Sequence, residues 1–416
     1  MSDLLDALEA RDPAAREHDL LSSLPALIQQ AQTAPGWAKI LSGINPADIT
    51  TRAALAQLPV TRKSDLQALQ QAALPFGGLT TTDVTKLSRI FMSPGPIFDP
   101  EGRGSDYWRF ARPLYALGVR SGEIIQNCFA YHFTPAGLMA EGGAMKLGCP
   151  VIPAGIGQTE MQVQSMNLLR PHAYVGTPSF LKIIIEKAQE MGTDISSVSK
   201  ALVSAEALPP SLRTWLQEHG VRHVLQTYGT ADIGNIAYET LAHGELSPGM
   251  VLDETLLLEI VRPGTGDPVS EGEVGEIVIT SFNPDYPLIR FGTGDMTAVL
   301  PGISPCGRTN TRIKGWMGRA DQTTKIRAMF VHPSQVADIV RRHPEIKKAR
   351  LVVSGEMAND IMTLQCEVAD TSSASLTAGI IESIRDVTKL RGDVILVAAG
   401  SLPNDGKVIE DARSYK

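Results

Sequence analysis

Residues 286–295 read YPLIRFGTGD, and residues 305–330 read PCGRTNTRIKGWMGRADQTTKIRAMF. A strand-like apolar run delivers Arg290 and Asp295. A second polar cluster, Arg319, Asp321 and Lys325, follows at a point that reads as a domain junction. Two such clusters suit an adenosine ribose. Asp295 accepts from two hydroxyls, and Arg319 donates from a rigid fork.

Upstream of this stretch the chain alternates helix and strand from about 85 to 240. EIIQNCFAY (123–131) leads into the small-residue helix AGLMAEGGAMKLG (136–148), then the strand CPVIPAG (149–155). LRPHAYVGTP (169–178) and KALVSAEAL (200–208) are further short apolar runs ending in Gly, Pro or an acid. The pattern predicts βα units feeding a mostly parallel sheet, with ligands at the carboxyl ends of its strands. Residues 251–300 turn β-rich, with Gly and Pro at short intervals, which predicts hairpins or a small barrel-like part. Beyond Asp321 a helix, two strands, a helix and a final strand predict a compact α+β unit. The fold class is therefore α/β. A large N-terminal domain spans 1–319 and a small mobile C-terminal domain spans 320–416.

Composition narrows the function. The 416 residues are 43% hydrophobic, ample for a large core, and the net charge of −7 carries no basic run, which excludes nucleic acid as a partner. The charged opening MSDLLDALEARDPAAREHDLL lacks the apolar region of a secretory leader, and no apolar stretch approaches 18 residues, so no membrane association is expected. Glu9, Arg11, Asp12 and Arg16 sit at helical spacing and read as a solvated helix face. Four scattered cysteines, Cys128, Cys149, Cys306 and Cys366, fit reduced thiols and a cytoplasmic location.

The order and spacing of Arg290, Asp295, Arg319, Asp321 and Lys325 resemble the adenylate-forming enzymes, and their phenylacetate–coenzyme A ligase branch in particular. So do the opening, LPVTRKSDL (58–66), PFGG (75–78) and the stretches that follow. The resemblance implies ATP or AMP, Mg²⁺ and coenzyme A as substrates or cofactors, a small carboxylic acid as partner, and room for a homodimer. It assigns Tyr131, Phe133, Gly137, Thr177 and Pro178 to the acyl-substrate pocket; a helix cap at Thr177 explains that turn equally well. Ser204, Glu206, Tyr228, Gly229, Thr230, Asp295, Arg319 and Lys325 go to the nucleotide. Asp232 holds Mg²⁺ through phosphate oxygens. Lys407, in LPNDGKVIED, bridges carboxylate and α-phosphate, and Asp321 is the hinge.

The chain also departs from that pattern. Ala231 stands where the family has a hydroxyl, and Asp232 is one methylene shorter than the family's Glu. The phosphate loop is degenerate: Ser93 and Gly95 remain in MSPGPIFDP (92–100), but the threonines and lysine are gone. Three prolines remove amide donors, and Asp99 brings charge repulsion toward a triphosphate. Arg103 is a candidate replacement cation. Cys306 lacks the partners of a structural zinc site, Ser304 and Thr240 standing in their places, so no bound metal of that kind is expected. Ala328 replaces a glycine near the thiol donor's path. The expected function is an ATP-dependent carboxylic, aryl, acid–coenzyme A ligase acting through an acyl-adenylate. The alternatives are an aryl-adenylate former serving a carrier protein or amine, and a non-catalytic acyl- or nucleotide-binding relative.

Overall fold

The computed structural model describes residues 4–93, 96–263, 266–320, 322, 324–326, 329–331, 333–355, 360–403 and 407–413. The chain divides into two compact units, Met1–Met317 and Gly318–Lys416. Hinge residue Asp321 and loop residue Gly95 lie outside the described residues, as does Ala328.

The first unit opens with helix α1 (Pro13–Ala31), started by the Asp12 side chain accepting from Ala15 N and by proline at the first helical position. Helices α2 (Pro35–Ile40) and α3 (Arg52–Leu55) follow, then strand β1 (Thr61–Arg62) and helix α4 (Lys63–Ala72). Strands β2 (Arg89–Ser93) and β3 (Ile97–Glu101) form an antiparallel hairpin closed by the Ser93–Ile97 pair. Helix α5 (Ala111–Ala116) leads to the βα region: β4 (Ile125–Asn127), α6 (Ala136–Lys146), β5 (Val151–Ile152), α7 (Thr159–Leu169), β6 (Ala173–Gly176), α8 (Pro178–Glu190), β7 (Lys200–Val203), α9 (Pro210–Glu218) and β8 (His223–Thr230).

Strands β5, β4, β6, β7 and β8 are parallel in that spatial order. The period of two sorts their side chains between faces. Val175 and Leu202 pack with Met139 and Leu114, while Tyr174, Ala201 and Val203 pack with Leu181 and Leu216 from α8 and α9. Both faces are covered, which is why these strands read as continuous apolar runs. The sheet continues antiparallel through β9 (Gly234–Tyr238). A short hairpin, β10 (Leu241–Ala242) with β11 (Glu245–Leu246), stands apart from it. Beyond β9 come β12 (Met250–Leu252), then β17 (Arg312–Ile313) and β16 (Val299–Leu300).

The β-rich part takes the form of a four-stranded sheet, order β1, β15 (Leu288–Thr297), β14 (Gly275–Ser281), β13 (Leu256–Val261). Leu258, Ile277, Ile279 and Phe291 of this sheet pack against Leu24, Ile28, Trp37 and Leu55 of the N-terminal helices.

The N-terminal charges are not the solvated face expected from their spacing. Glu9 and Arg16 are buried. Arg16 Nε pairs with Glu254 Oε2 at 2.7 Å, and Glu9 Oε1 accepts from the Tyr238 hydroxyl at 2.8 Å and faces Arg308 Nε at 3.2 Å. Glu9 lies in a separate 3₁₀ turn (Ala7–Ala10), Asp12 caps α1 and only Arg16 is on α1, so spacing along one helix does not relate these charges; their partners come from β9, Glu254 and Arg308.

In the second unit, β18 (Thr324–Ile326) pairs with β19 (Met329–Val331). A sheet of order β22 (Asp393–Ala398), β21 (Ile361–Val368), β20 (Lys348–Ser354), β23 (Ile409–Asp411) carries α10 (Pro333–Arg342) and α11 (Ala374–Thr388). Val336 and Ile339 of α10 and Ile380 and Ile384 of α11 share its core with Leu351 and Leu364. Strand β23, just after Lys407, was not anticipated.

Candidate active site

The carboxyl ends of β4, β6, β7 and β8 carry a run of polar side chains linked by short contacts. At β4, Asn127 Nδ2 donates to the Tyr131 hydroxyl and to the Gly137 carbonyl, both at 2.7 Å. The Tyr131 hydroxyl donates to Glu141 Oε2 at 2.9 Å. Gly137 is required here, because a Cβ would lie 2.8 Å from Ala130 O and 2.9 Å from the Tyr131 ring. Phe133 is 71% exposed and holds a left-handed φ of 61°, and its carbonyl accepts from Met92 N at 2.9 Å. A strained, exposed aromatic beside strand ends is the kind of feature that function maintains.

At β6, the Thr177 hydroxyl accepts from Phe180 N and Pro178 occupies the first position of α8, so this turn is a helix cap. Ser179 N reaches Glu206 Oε2 at 3.4 Å. Between Ser204 and Glu206, Ala205 holds a φ of 67°, a second strained position. The Ser204 hydroxyl donates to Thr227 O at 2.7 Å, which ties the end of β7 to β8.

At β8 the Tyr228 hydroxyl donates to Asp295 Oδ2 at 2.9 Å, which joins the large sheet to β15. Gly229 follows in a bulge, where a Cβ would meet Gly234 O at 2.3 Å. The Thr230 hydroxyl accepts from Ile233 N at 3.2 Å. Asp295 Oδ1 accepts from the Trp316 indole at 3.0 Å. Trp316 was not singled out from sequence, and its ring is half exposed.

Asp232 is buried and meets Lys63 Nζ at 2.5 Å. Lys63, at the start of α4, is a second residue that went unassigned, although LPVTRKSDL carried the signal. Burial works against its charge, but Asp232, Asp99 and Asp295 outweigh that and hold its pKa above the ordinary lysine value. Asp99 is fully buried, and neither oxygen has a hydrogen-bond partner among the described residues. Burial first, then Asp232, push its carboxyl well above the usual range, with Lys63 opposing. The expected charge repulsion toward a triphosphate therefore gives way to a buried carboxyl whose ionisation is disfavoured. Ser93 is also buried, its hydroxyl donating across the hairpin to Ile97 O at 3.4 Å.

Arg290 is a structural pin. It pairs with Glu259 at 3.0 Å and donates to the carbonyls of Ala56, Leu58 and Gly266. Cys306 Sγ lies 3.0 Å from the Ser304 hydroxyl. Burial opposes ionisation there, but hydrogen bonds from Ser304, Thr240 and Arg308 hold the thiol below its ordinary value. No group of three His, Cys, Asp or Glu side chains forms a metal cluster among the described residues. A cleft of ≈ 390 Å³ lined by Leu181, Ile185, Ala188 and His219 includes none of the candidate residues.

In the second unit, Arg319 is half buried, Lys325 lies on β18 paired with Phe330, and Lys407 is exposed immediately before β23. The Gln322 side-chain oxygen accepts from the backbone amides of Val408 and Ile409, which fixes the strand that follows Lys407.

The family model for AMP-binding enzymes matches residues 126–283, which run from the end of β4 to the start of the β14–β15 connection. The chain is 30% identical over 380 residues to a phenylacetate–coenzyme A ligase of Thermus thermophilus, covering 88% of this chain and 84% of that protein. It is 28% identical to one of Pseudomonas putida, covering 97% and 95%. Among solved structures, a 2-hydroxyisobutyryl-CoA ligase in complex with 2-HIB-AMP and CoA superposes with a TM-score of 0.73 at 23% identity, covering 98% of this chain and 92% of that one. That likeness shows the fold. No helix among the described residues is long and apolar enough to cross a membrane. The identity to the Thermus ligase, spread over most of both chains, shows that this chain belongs to the AMP-binding, adenylate-forming enzymes, in their phenylacetate–coenzyme A ligase branch, and is an enzyme of the acid–thiol ligase type.

Proposed function

We propose that the chain is an ATP-dependent ligase that joins a carboxylic acid, of aryl type, to coenzyme A through an acyl-adenylate. The observation that carries this reading is the Tyr228–Asp295 contact at 2.9 Å, with the Trp316 indole on the other carboxylate oxygen. It sets an ionisable acceptor beside two aromatic rings at the carboxyl end of a parallel sheet, where a nucleoside fits. A carboxylate has acceptor capacity beyond these two donors, so ribose hydroxyls add to them. Tyr228 and Trp316 supply ring surface for the base. Tyr131, Gly137 and the cap at Thr177 form the side where the acid binds.

The chain's main contribution to the reaction is positioning and charge stabilisation at the α-phosphate. Lys63 places a cation beside Asp232; for Arg319 and Lys407 the support is the family resemblance. Mg²⁺ would arrive with the nucleotide's phosphates and not through a protein cage. Asp232 Oδ1 is buried, faces Asp99 and has no hydrogen-bond donor on it among the described residues, so it is the oxygen that would serve the ion. The test is a pyrophosphate-release screen with aryl and alkyl acids, with and without coenzyme A. Release with an aryl acid and thioester formation only on adding coenzyme A support the reading. Release without thioester favours a carrier protein or amine as acceptor.

A second reading has its own support. The β2–β3 hairpin closes at the Ser93–Ile97 pair and leaves only residues 94–96 to connect it, where a phosphate cradle needs a longer, amide-rich loop. A non-catalytic acyl- or nucleotide-binding relative accounts for that hairpin. It predicts AMP binding with no pyrophosphate release for any acid.

A further inference from the structure

We propose that Glu141 is a specificity-determining residue, and that the acid activated here carries a hydrogen-bond donor, a hydroxyl or an ammonium group, at the end remote from its carboxylate. The inference rests on the ligase reading and narrows its substrate class.

Glu141 lies on α6, four residues beyond Gly137, so the two positions share a helix face. The hydrogen bonds around it have a fixed direction. Asn127 Oδ1 accepts from Phe129 N at 3.1 Å, so its amide nitrogen is the group facing Gly137 O and the Tyr131 hydroxyl. Tyr131 receives that donation, and its single proton goes to Glu141 Oε2. The relay from Asn127 to Tyr131 to Glu141 therefore ends on a carboxylate that accepts. Burial, and then the Glu141 carboxylate, hold the Tyr131 phenol above its ordinary pKa.

No hydrogen bond from a described residue reaches Glu141 Oε1, and the side chain is only half buried. A carboxylate at this point of a pocket wall selects against acids that present a second carboxylate, a nitro group or a keto oxygen, because each meets it acceptor to acceptor. It selects for a hydroxyl or ammonium, which completes the relay. The Tyr131 ring leaves apolar surface beside it, and Phe133 is an exposed aromatic two residues further along the same loop, which suits an aromatic or short alkyl body between the two polar ends.

A donor to a half-solvated carboxylate is worth roughly tenfold to a hundredfold in kcat/KM. The test compares phenylacetate, 3- and 4-hydroxyphenylacetate, 4-aminomethylphenylacetate and 4-chlorophenylacetate in pyrophosphate release, and titrates each acid by calorimetry. It uses the full chain and the Glu141→Leu and Glu141→Gln variants, with folding checked by circular dichroism. The expected result is that one of the donor-bearing acids exceeds phenylacetate at least tenfold, and that this ratio falls at least tenfold in Glu141→Leu. Equal efficiency across the set, or a preference that survives in Glu141→Leu, overturns the assignment while release itself upholds the ligase reading. A calorimetric preference lost in Glu141→Leu, without release by any acid, supports Glu141 and retires the ligase reading. Failure of every acid to bind overturns both.

Discussion

The carboxylate of Asp295 accepts from two aromatic side chains, the Tyr228 hydroxyl and the Trp316 indole. Replacing it with alanine leaves both aromatic donors in place and removes the acceptor. Asp295→Ala is expected to weaken AMP binding by about 1.5–3 kcal/mol, the worth of a charge-assisted hydrogen bond. Calorimetric titration checks this, and unchanged affinity removes Asp295 from the nucleotide site. Asp99 makes a pH prediction. Its folded pKa is raised by burial and by Asp232. A carboxyl that binds its proton more tightly when folded adds stability below its unfolded value, about 3.9. That stability is lost as pH rises through the folded pKa. Asp99→Asn keeps the shape and cannot ionise. It is therefore expected to raise the thermal midpoint at pH 8 by roughly 2 °C or more, with the gap closing as pH falls toward 4. The groups facing Asp99 are Asp232, Lys63, Ser93 and Tyr286, the last a buried hydroxyl without a hydrogen-bond partner among the described residues. A gap that does not depend on pH removes the titration from the explanation.

At the scale of elements, the N-terminal segment is held to the large sheet by charges. Glu9 alone meets Tyr238, Arg308 and Arg112, and Arg16 meets Glu254. Breaking one side of a buried ion pair strands the other charge, a loss of about 3–5 kcal/mol. Glu9→Ala is expected to lose stability on that scale in urea denaturation, far more than a solvated helix charge would. A loss under about 0.5 kcal/mol would return Glu9 to the surface role its spacing suggested. The parallel strands and their caps were legible for a physical reason. Apolar runs and Thr177-Pro178 are local signals, and a helix start depends on three or four residues; the Asp12-Pro13 start of α1 carried the same signal but was read as helix interior. The burial of Glu9 was not legible, because its partners are far away in the chain.

At the scale of the whole molecule, the proposed chemistry divides between two half-reactions. Lys407 belongs to the second unit and is exposed there, on the approach to β23. The proposal gives it a part in adenylate formation only. Lys407→Ala is expected to abolish pyrophosphate release with acid and ATP. Thioester formation from chemically supplied acyl-AMP and coenzyme A should be largely spared. Equal loss of both half-reactions assigns the lysine to general binding, and no loss of either removes it from the site.

By itself the sequence determined the α/β alternation and the family resemblance, and it nominated Tyr228, Asp295 and Arg319 as site candidates, because each rests on order and spacing along the chain. The tertiary structure decided which side chains meet. Lys63 and Asp232 stand 169 residues apart and touch, and Arg290, read as part of a binding cluster, is spent on Glu259 and three carbonyls. Trp316 and Glu141 carry no motif, and their roles exist only once the segment after β17 and helix α6 bring them to Asp295 and Tyr131. Hydrogen bonds and ion pairs act over a few ångströms, so the fold decides which charge is neutralised and which remains to bind a ligand.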